Sequence, residues 1–299
     1  MRLAVLAAPD SWYLNDLRRA AGSRHEVLCV PFERLTAGLD SSTRQRRVQA
    51  AECDLRACDA VLVRTMPPGS LEQVVFRMDA LGSLAEAGTV VINPPRAIEA
   101  AVDKYLASHK LQSAGLVTPR TWVCQSLGDA LEGFRDLGGD VVVKPVFGGE
   151  GRGICRVHDE SLAWRVFSTL AQLRSVIYLQ EYIPHNGFDI RLLVLGERVF
   201  AMRRVNPDDW RTNVSRGARA EPLVADQRLI ETARRAAAAI GAPFAGVDIL
   251  PDRNGREFVL EVNGVPGWKA LAATLQLDVA AELLDYIESL VSDRGSAGG

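Results

Sequence analysis

The chain has 299 residues, 47% hydrophobic and 24% charged, with a formal net charge of −2, a balance that suits a full globular core and two or three cooperating subdomains. Nucleic-acid binders carry a basic excess or stripe, so this charge disfavours them. Five cysteines without a C-x-x-C pair suggest neither a disulfide framework nor a zinc site and fit a reducing cytoplasm, and no apolar run is long enough for a signal sequence or a membrane span.

From residue 1 to about 93, short β-runs (Leu3 to Ala7, Val27 to Val30, Ala60 to Arg64, Thr89 to Ile92) alternate with helical patterns such as Ser11 to Ala21, which predicts a small parallel α/β domain. Arg64-Thr65-Met66-Pro67-Pro68-Gly69 follows a strand end, the side of an open parallel sheet where ligands collect. Arg64 is therefore a candidate substrate contact, with a surface arginine as the alternative. Pro94-Pro95 closes the domain, and Arg96 to Gln112 has the spacing of one amphipathic helix.

A central segment, 94–176, carries Lys104 on that helix, a turn at Gly115 to Arg120, and a covering helix at Ser161 to Leu173. Between them lies Val141-Val142-Val143-Lys144, followed by Pro145-Val146-Phe147-Gly148-Gly149-Glu150-Gly151-Arg152-Gly153. A buried strand with a lysine at its mouth and a glycine loop beyond suits the phosphates of a nucleotide, because glycine lets backbone N–H groups approach anionic oxygens. The order is not that of a P-loop, since the lysine precedes the glycines, and an ordinary glycine-rich turn is the competing explanation.

The third segment, 177–293, is strand-rich, with 294–299 expected as a flexible tail. Ile177 to Pro184 reads as a strand, and Gly187 to Arg204 as two strands about a Gly196-Glu197 turn, interrupted by Asp189, Arg191, Arg203 and Arg204. A polar loop, Asp209 to Gly217, holds Arg211, Thr212, Asn213 and Arg216. After a helix from Asp226 to Ile240, a hairpin turning at Asn254-Gly255 sets Asp248 on one strand and Glu261 and Asn263 two apart on the other, so the last two share a face. Two carboxylates and an amide oxygen are plausible magnesium ligands; a salt-bridged face is the alternative.

In this order the motifs resemble those of RimK-type ATP-grasp carboxylate–amine ligases, the α-L-glutamate ligase family, from about residue 90 onward. The motifs are Lys104, Lys144 with its glycine loop, Gln180-Glu181-Tyr182-Ile183, Asp189-Ile190-Arg191, Arg211-Thr212-Asn213 with Arg216-Gly217, Gly246-Val247-Asp248-Ile249 and Glu261-Val262-Asn263. The resemblance implies an ATP-grasp fold, α/β in the broad sense (α+β), behind a small amino-terminal parallel α/β domain. It further implies that Lys104, Lys144 and the loop glycines Gly149, Gly151 and Gly153 bind ATP phosphates, that Glu181, Tyr182 and Ile183 form the adenine hinge, and that Asp189 lies near the ribose. Arg211, Thr212 and Asn213 would approach the nucleotide, Arg216 would face the transferred phosphoryl group, and Asp248, Glu261 and Asn263 would hold two Mg2+ or Mn2+ ions, bridged by Glu261.

The implied chemistry converts a carboxylate to an acyl phosphate with ATP, after which an amine displaces phosphate to give an amide. Such chemistry needs positioning and charge neutralisation rather than a covalent nucleophile. Arg191, Arg203, Arg204 and Arg216 are expected at the catalytic end and, since arginine grips carboxylates and phosphates, favour acidic partners: glutamate as amine and a carboxylate-bearing cofactor or peptide as acceptor. After Asn263 the family's small-residue loop is replaced by Gly264-Val265-Pro266-Gly267-Trp268-Lys269, with Trp268 available to stack on a flat acceptor. That variant resembles a RimK-like subgroup linked to tetrahydromethanopterin- or methanofuran-type cofactors. A ligase acting on a protein carboxy terminus and a non-catalytic nucleotide-binding regulator are the alternatives. Related ligases imply a homo-oligomer.

Overall fold

A computed structural model describes residues 1–42, 45–148, 152–214 and 217–297. The first sheet is wholly parallel, in the order Glu26–Val30, Arg2–Leu6, Ala60–Val63, Val90–Ile92. Its strands are apolar on both sides because both faces are covered. Leu71–Glu86 packs Met78, Leu81 and Leu84 on one face, and Trp12–Ala21 packs Leu14 and Leu17 on the other. This second face is completed from the far end of the chain, by Leu283, Leu284 and Ile287 of the helix Val279–Ala297. Where a flexible tail was expected from residue 294, the helix runs on to Ala297, and Arg294 Nη1 donates to the carbonyls of Gly88 and Thr89 at 3.0 and 2.9 Å. A three-stranded antiparallel sheet, Leu35–Asp40, Gln45–Ala50 and Cys53–Asp54, was not anticipated; its first strand is exposed after Leu35, so no buried alternation announces it.

The helix expected over Arg96 to Gln112 is two, Pro95–Val102 and Lys104–Ser113. Asp103 makes the break: its Oδ1 accepts from the backbone N–H groups of Tyr105 and Leu106 at 2.9 and 3.0 Å, capping the second helix. Lys104 thereby becomes the first residue of a new helix rather than a mid-helix surface charge.

The central sheet is antiparallel, in the order Cys155–Val157, Val141–Lys144, Ile177–Glu181, Thr121–Cys124. The strand Ile177–Glu181, expected in the third segment, is hydrogen-bonded here between two strands of the central one. Helices Leu127–Asp136 and Glu160–Gln172 cover one face through Phe134 and Phe167. The third sheet is also antiparallel, in the order Arg219–Pro222, Arg198–Val205, Phe188–Leu195, Phe244–Pro251, Glu257–Asn263. Gln227–Ile240 lays Leu229, Ala233, Ala236 and Ile240 into the core it shares with that sheet. Among the described residues no helix is long and apolar enough to cross a membrane.

Candidate active site

The glutamate at the heart of the site is placed by an irregularity in the last hairpin. Asp248 pairs with Glu261, but Ile249 pairs with Val259, leaving Leu260 as an extra residue. Such a bulge breaks strict alternation and re-aims side chains: adjacent Leu260 and Glu261 both line the same space. Glu261 belongs to two spaces at once. One is a cleft between the central and third sheets, bounded by Val142, Ile154, Ile183 and Thr212; the other is a cavity of about 660 Å³. Lys144, Leu260 and Glu261 line both.

Lys144 leaves the mouth of its strand half-buried, and its ammonium donates to Gln180 Oε1. Burial lowers its pKa to about 8, partly offset by the Glu261 charge. Behind it runs a polar chain in which Gln180 Nε2 meets the Tyr178 hydroxyl at 3.4 Å and Tyr178 meets Ser108 Oγ at 2.9 Å. No sequence motif marks Tyr178 or Ser108, which sit in apolar-looking patterns. Lys104 Nζ donates to the Gly148 carbonyl at 2.6 Å and so ties the start of the glycine loop to the second helix; burial lowers its pKa as well. Gly153 takes φ +69° against the Pro145 ring, a backbone state that favours glycine. Gly149, Gly151 and Arg216 lie outside the described residues.

The hinge segment lies along the cleft, with qualifications. Glu181 and Ile183 line it, but the Glu181 carboxylate is held by Arg120 Nε at 3.0 Å and by the Arg120 backbone N–H at 2.8 Å. The Tyr182 ring instead carries the Arg156 guanidinium 3.4 Å from its centroid and meets the edge of Trp210. Arg211, Thr212 and Asn213 form part of the wall, with Arg211 clamped on Asp209 at 2.7 Å.

Beneath the cleft is a buried chain of charges. Arg191 lies opposite Asp248 across the strands and donates to its Oδ1 at 2.7 Å. Arg204 donates to Asp189 Oδ1 at 2.7 Å and reaches Asp248 Oδ2 at 3.0 Å. Burial pushes the Asp248 carboxyl up, but the two guanidiniums outweigh it and hold the acid below the usual carboxylate range. The geometry requires Gly246, because a Cβ there would stand 2.7 Å from the Arg191 guanidinium carbon. Arg191 and Arg204 are thus occupied by neighbouring acids. Arg203, one residue along the strand, turns to the other face, pairs with Glu221 at 2.5 Å and lines neither space; the structure does not bring it to the cleft.

Glu261 differs from these acids in having no hydrogen bond or ion pair among the described residues. Burial and the Asp248 charge raise its pKa, with Arg191, Lys144 and Lys104 opposing. A half-buried carboxylate without a direct donor suits a cation. Its companions are Asp248 and the Asn263 amide, whose Oδ1 accepts from Val265 N–H at 2.9 Å and keeps a second lone pair. Among the described residues no group of three His, Cys, Asp or Glu side chains could hold a metal ion; Glu261 and Asp248 with the Asn263 amide oxygen are hard oxygen donors of the kind magnesium takes. Trp268, expected against the acceptor, is fully buried instead, its Nε1 donating to Asp16 Oδ2 at 2.9 Å. Gly267 explains the placement: a Cβ there would meet the Tyr13 hydroxyl at 2.5 Å, so only glycine lets the loop pass and deliver the indole into the first core.

The model of the RimK-like ATP-grasp domain matches residues 101–287. The chain is 32% identical over 319 aligned positions to the tetrahydromethanopterin:alpha-L-glutamate ligase of Methanosarcina acetivorans, covering 96% of this chain and 98% of that one. It is 31% identical to a probable alpha-L-glutamate ligase of Sodalis glossinidius, covering 99% and 100%. Among solved structures, the ATP-grasp ligase PsnB complexed with minimal precursor, Mg and ADP superposes with a TM-score of 0.76 at 22% identity, over 97% of each chain. The family match over more than half of the chain and the near-complete coverage of these relatives agree, and the chain belongs to the RimK-like ATP-grasp family of ligases.

Proposed function

We propose that this ligase uses ATP to activate a carboxylate of a small-molecule cofactor of the tetrahydromethanopterin type and joins it to the amino group of glutamate. The substrates follow those named for relatives that match almost the whole chain. The observation that carries the mechanistic reading is that Lys144, Leu260 and Glu261 line both the cleft and the large cavity, which supports nucleotide on one side, acceptor on the other, and reaction where the two spaces meet.

In this reading the adenine end lies toward Glu181 and Ile183, with Arg211, Thr212 and Asn213 along the nucleotide. Lys144 neutralises phosphate charge from a half-buried site, so its field on a bound anion is less screened than that of a surface lysine. Lys104 anchors the glycine loop through Gly148. Glu261, Asp248 and Asn263 would hold two Mg2+ or Mn2+ ions, which when bound supply charge neutralisation to the transferring phosphoryl group. Arg191 and Arg204 act indirectly: by gripping both Asp248 oxygens they fix its carboxylate and keep it ionised. The acceptor carboxylate attacks the terminal phosphorus, ADP leaves, and the glutamate amine then adds to the acyl carbon and expels phosphate. The cavity suits a drug-sized acceptor.

The test is ADP release by the full-length protein with Mg-ATP, a panel of amino acids and cofactor-enriched extract, followed by mass spectrometry of new amides. ADP release that requires glutamate, with a glutamyl-extended cofactor as product, is expected. Preference for neutral or basic amino acids, or ADP release without any new amide, would defeat the proposal.

A further inference from the structure

Arg64 stands on the wall that the first sheet contributes to the large cavity, at the exit of the strand Ala60–Val63. Its residue surface is 8% exposed, and its Nε and Nη1 are buried with no hydrogen-bond partner. Beside it, the Thr65 hydroxyl is also buried and unpartnered. The position is rigid rather than accidental: the backbone N–H groups of Arg64 and Thr65 both donate to the Leu6 carbonyl, at 3.0 and 3.1 Å. Arg77 Nη1 holds the following loop by donating to the Pro67 carbonyl at 2.7 Å.

The guanidinium is set between aromatic rings, 4.7 Å from the Tyr13 centroid and 4.5 Å from that of Trp268. Ring faces stabilise a cation but accept no strong hydrogen bonds, so they hold the group without using its donors. Burial lowers the Arg64 pKa to about 10, and Tyr13 is the one titratable neighbour that offsets this. Of the other buried arginines among the described residues, Arg191 and Arg204 are matched to carboxylates and Arg77 donates to the Pro67 carbonyl. Arg64 differs from all three in leaving two buried donors unpaired while lining a cavity. Between it and Lys144 the cavity wall is largely apolar, built from Met66, Pro67, Ile98, Val102, Leu111 and Val265. Glutamate needs neither this volume nor an apolar wall, whereas an acceptor with a flat or aliphatic body needs both.

We propose that Arg64 and Thr65 form an oxyanion subsite for a second anionic group of the acceptor, a carboxylate or phosphate distinct from the carboxylate that is activated. The subsite rests on the ligase reading for its ligand and fixes the acceptor from the end remote from chemistry, so that binding energy gathered by the first domain positions the reacting carboxylate.

The test uses the full-length protein saturated with Mg-ADP, titrated calorimetrically with inorganic phosphate, with glutarate and with glutamate. Phosphate or glutarate is expected to bind, with affinity at least about tenfold weaker in Arg64→Gln, partly recovered in Arg64→Lys and several-fold weaker in Thr65→Val. Preference for phosphate assigns a phosphoryl group and preference for glutarate a carboxylate. Equal affinities in wild type and Arg64→Gln, or no anion binding to wild type, overturn the subsite; Arg64-dependent binding tightest for glutamate overturns its assignment to the acceptor. If Arg64→Gln loses the Mg-ADP thermal shift and so the fold, Thr65→Val decides, and an undiminished affinity there overturns the proposal. Glutamate-dependent ADP release is read on the same wild-type preparation: its absence defeats the ligase reading, whereas Arg64-independent anion binding defeats the subsite alone.

Discussion

Glu261 and Arg203 mark the two extremes among the site's charged residues. Glu261 is half-buried with no donor among the described residues, so Glu261→Gln removes the charge a metal ion would meet while keeping the volume; turnover should fall on the order of 100-fold or more with the thermal midpoint held or raised. Activity within a factor of about three of wild type would contradict the metal role. Arg203 pairs with Glu221 on the face away from the cleft, so steady-state kinetics of Arg203→Ala should show ATP and glutamate Michaelis constants within about threefold of wild type. Lys144 gives a pH dependence. Its pKa of about 8 lies below the ordinary lysine value, and an anionic phosphate beside it favours the protonated form. Nucleotide binding should therefore take up protons near pH 8, and affinity for Mg-ATP should weaken as pH rises through 8 to 9. Calorimetry in two buffers of different ionisation enthalpy reads this directly; the same apparent enthalpy in both would contradict it. For the protein alone the sign is opposite: the unfolded chain binds the proton more tightly, so the Lys144 contribution destabilises the fold below pH 8 and is relieved as pH rises toward 10.5.

Strands and caps show where local sequence suffices and where it does not. The parallel first sheet, the Gly196-Glu197 hairpin and the Asp226-capped helix were all readable, because apolar periodicity and turn chemistry there agree with the tertiary context. The helix break at Asp103 was not, since the apolar spacing continues through it and only the cap hydrogen bonds reveal it. Asp103→Ala should cost about 1 kcal/mol in urea unfolding and loosen the Lys104–Gly148 tether; an unchanged midpoint would show that the cap contributes nothing. The bulge at Leu260 was equally hidden, because alternation alone puts Glu261 and Asn263 on one face without telling which way Leu260 turns. Gly246 reads as an ordinary strand glycine until the Arg191 guanidinium is seen lying over it. Gly246→Ala should destabilise by about 1–3 kcal/mol through overpacking, measured by denaturant titration; no loss would mean that Arg191 moves aside freely.

Across the whole molecule, residues distant in sequence complete one another's cores and walls. The last helix closes the first sheet, and the large cavity draws on the first domain at Arg64, the central sheet at Lys144 and the third sheet at Glu261. Sequence motifs marked most of the residues lining the cleft because that wall is built from short contiguous stretches. The large cavity was less legible, because its wall is gathered from distant stretches: Trp268 looked like a stacking platform and is a core residue, while Arg64, a candidate substrate contact with a surface arginine as the alternative, is enclosed. Removing residues 279–297 should expose Leu283, Leu284 and Ile287 and their counterparts on the first sheet, giving an insoluble or molten chain by near-ultraviolet circular dichroism; a well-packed truncated protein would contradict the shared core. The central claim is that the two spaces meeting at Lys144 and Glu261 pass a phosphoryl group from ATP to the acceptor carboxylate. Labelling that carboxylate with oxygen-18 and following the released inorganic phosphate by mass spectrometry tests it most directly. An acyl phosphate route places one acceptor oxygen in every phosphate formed alongside ADP; phosphate free of label would contradict it.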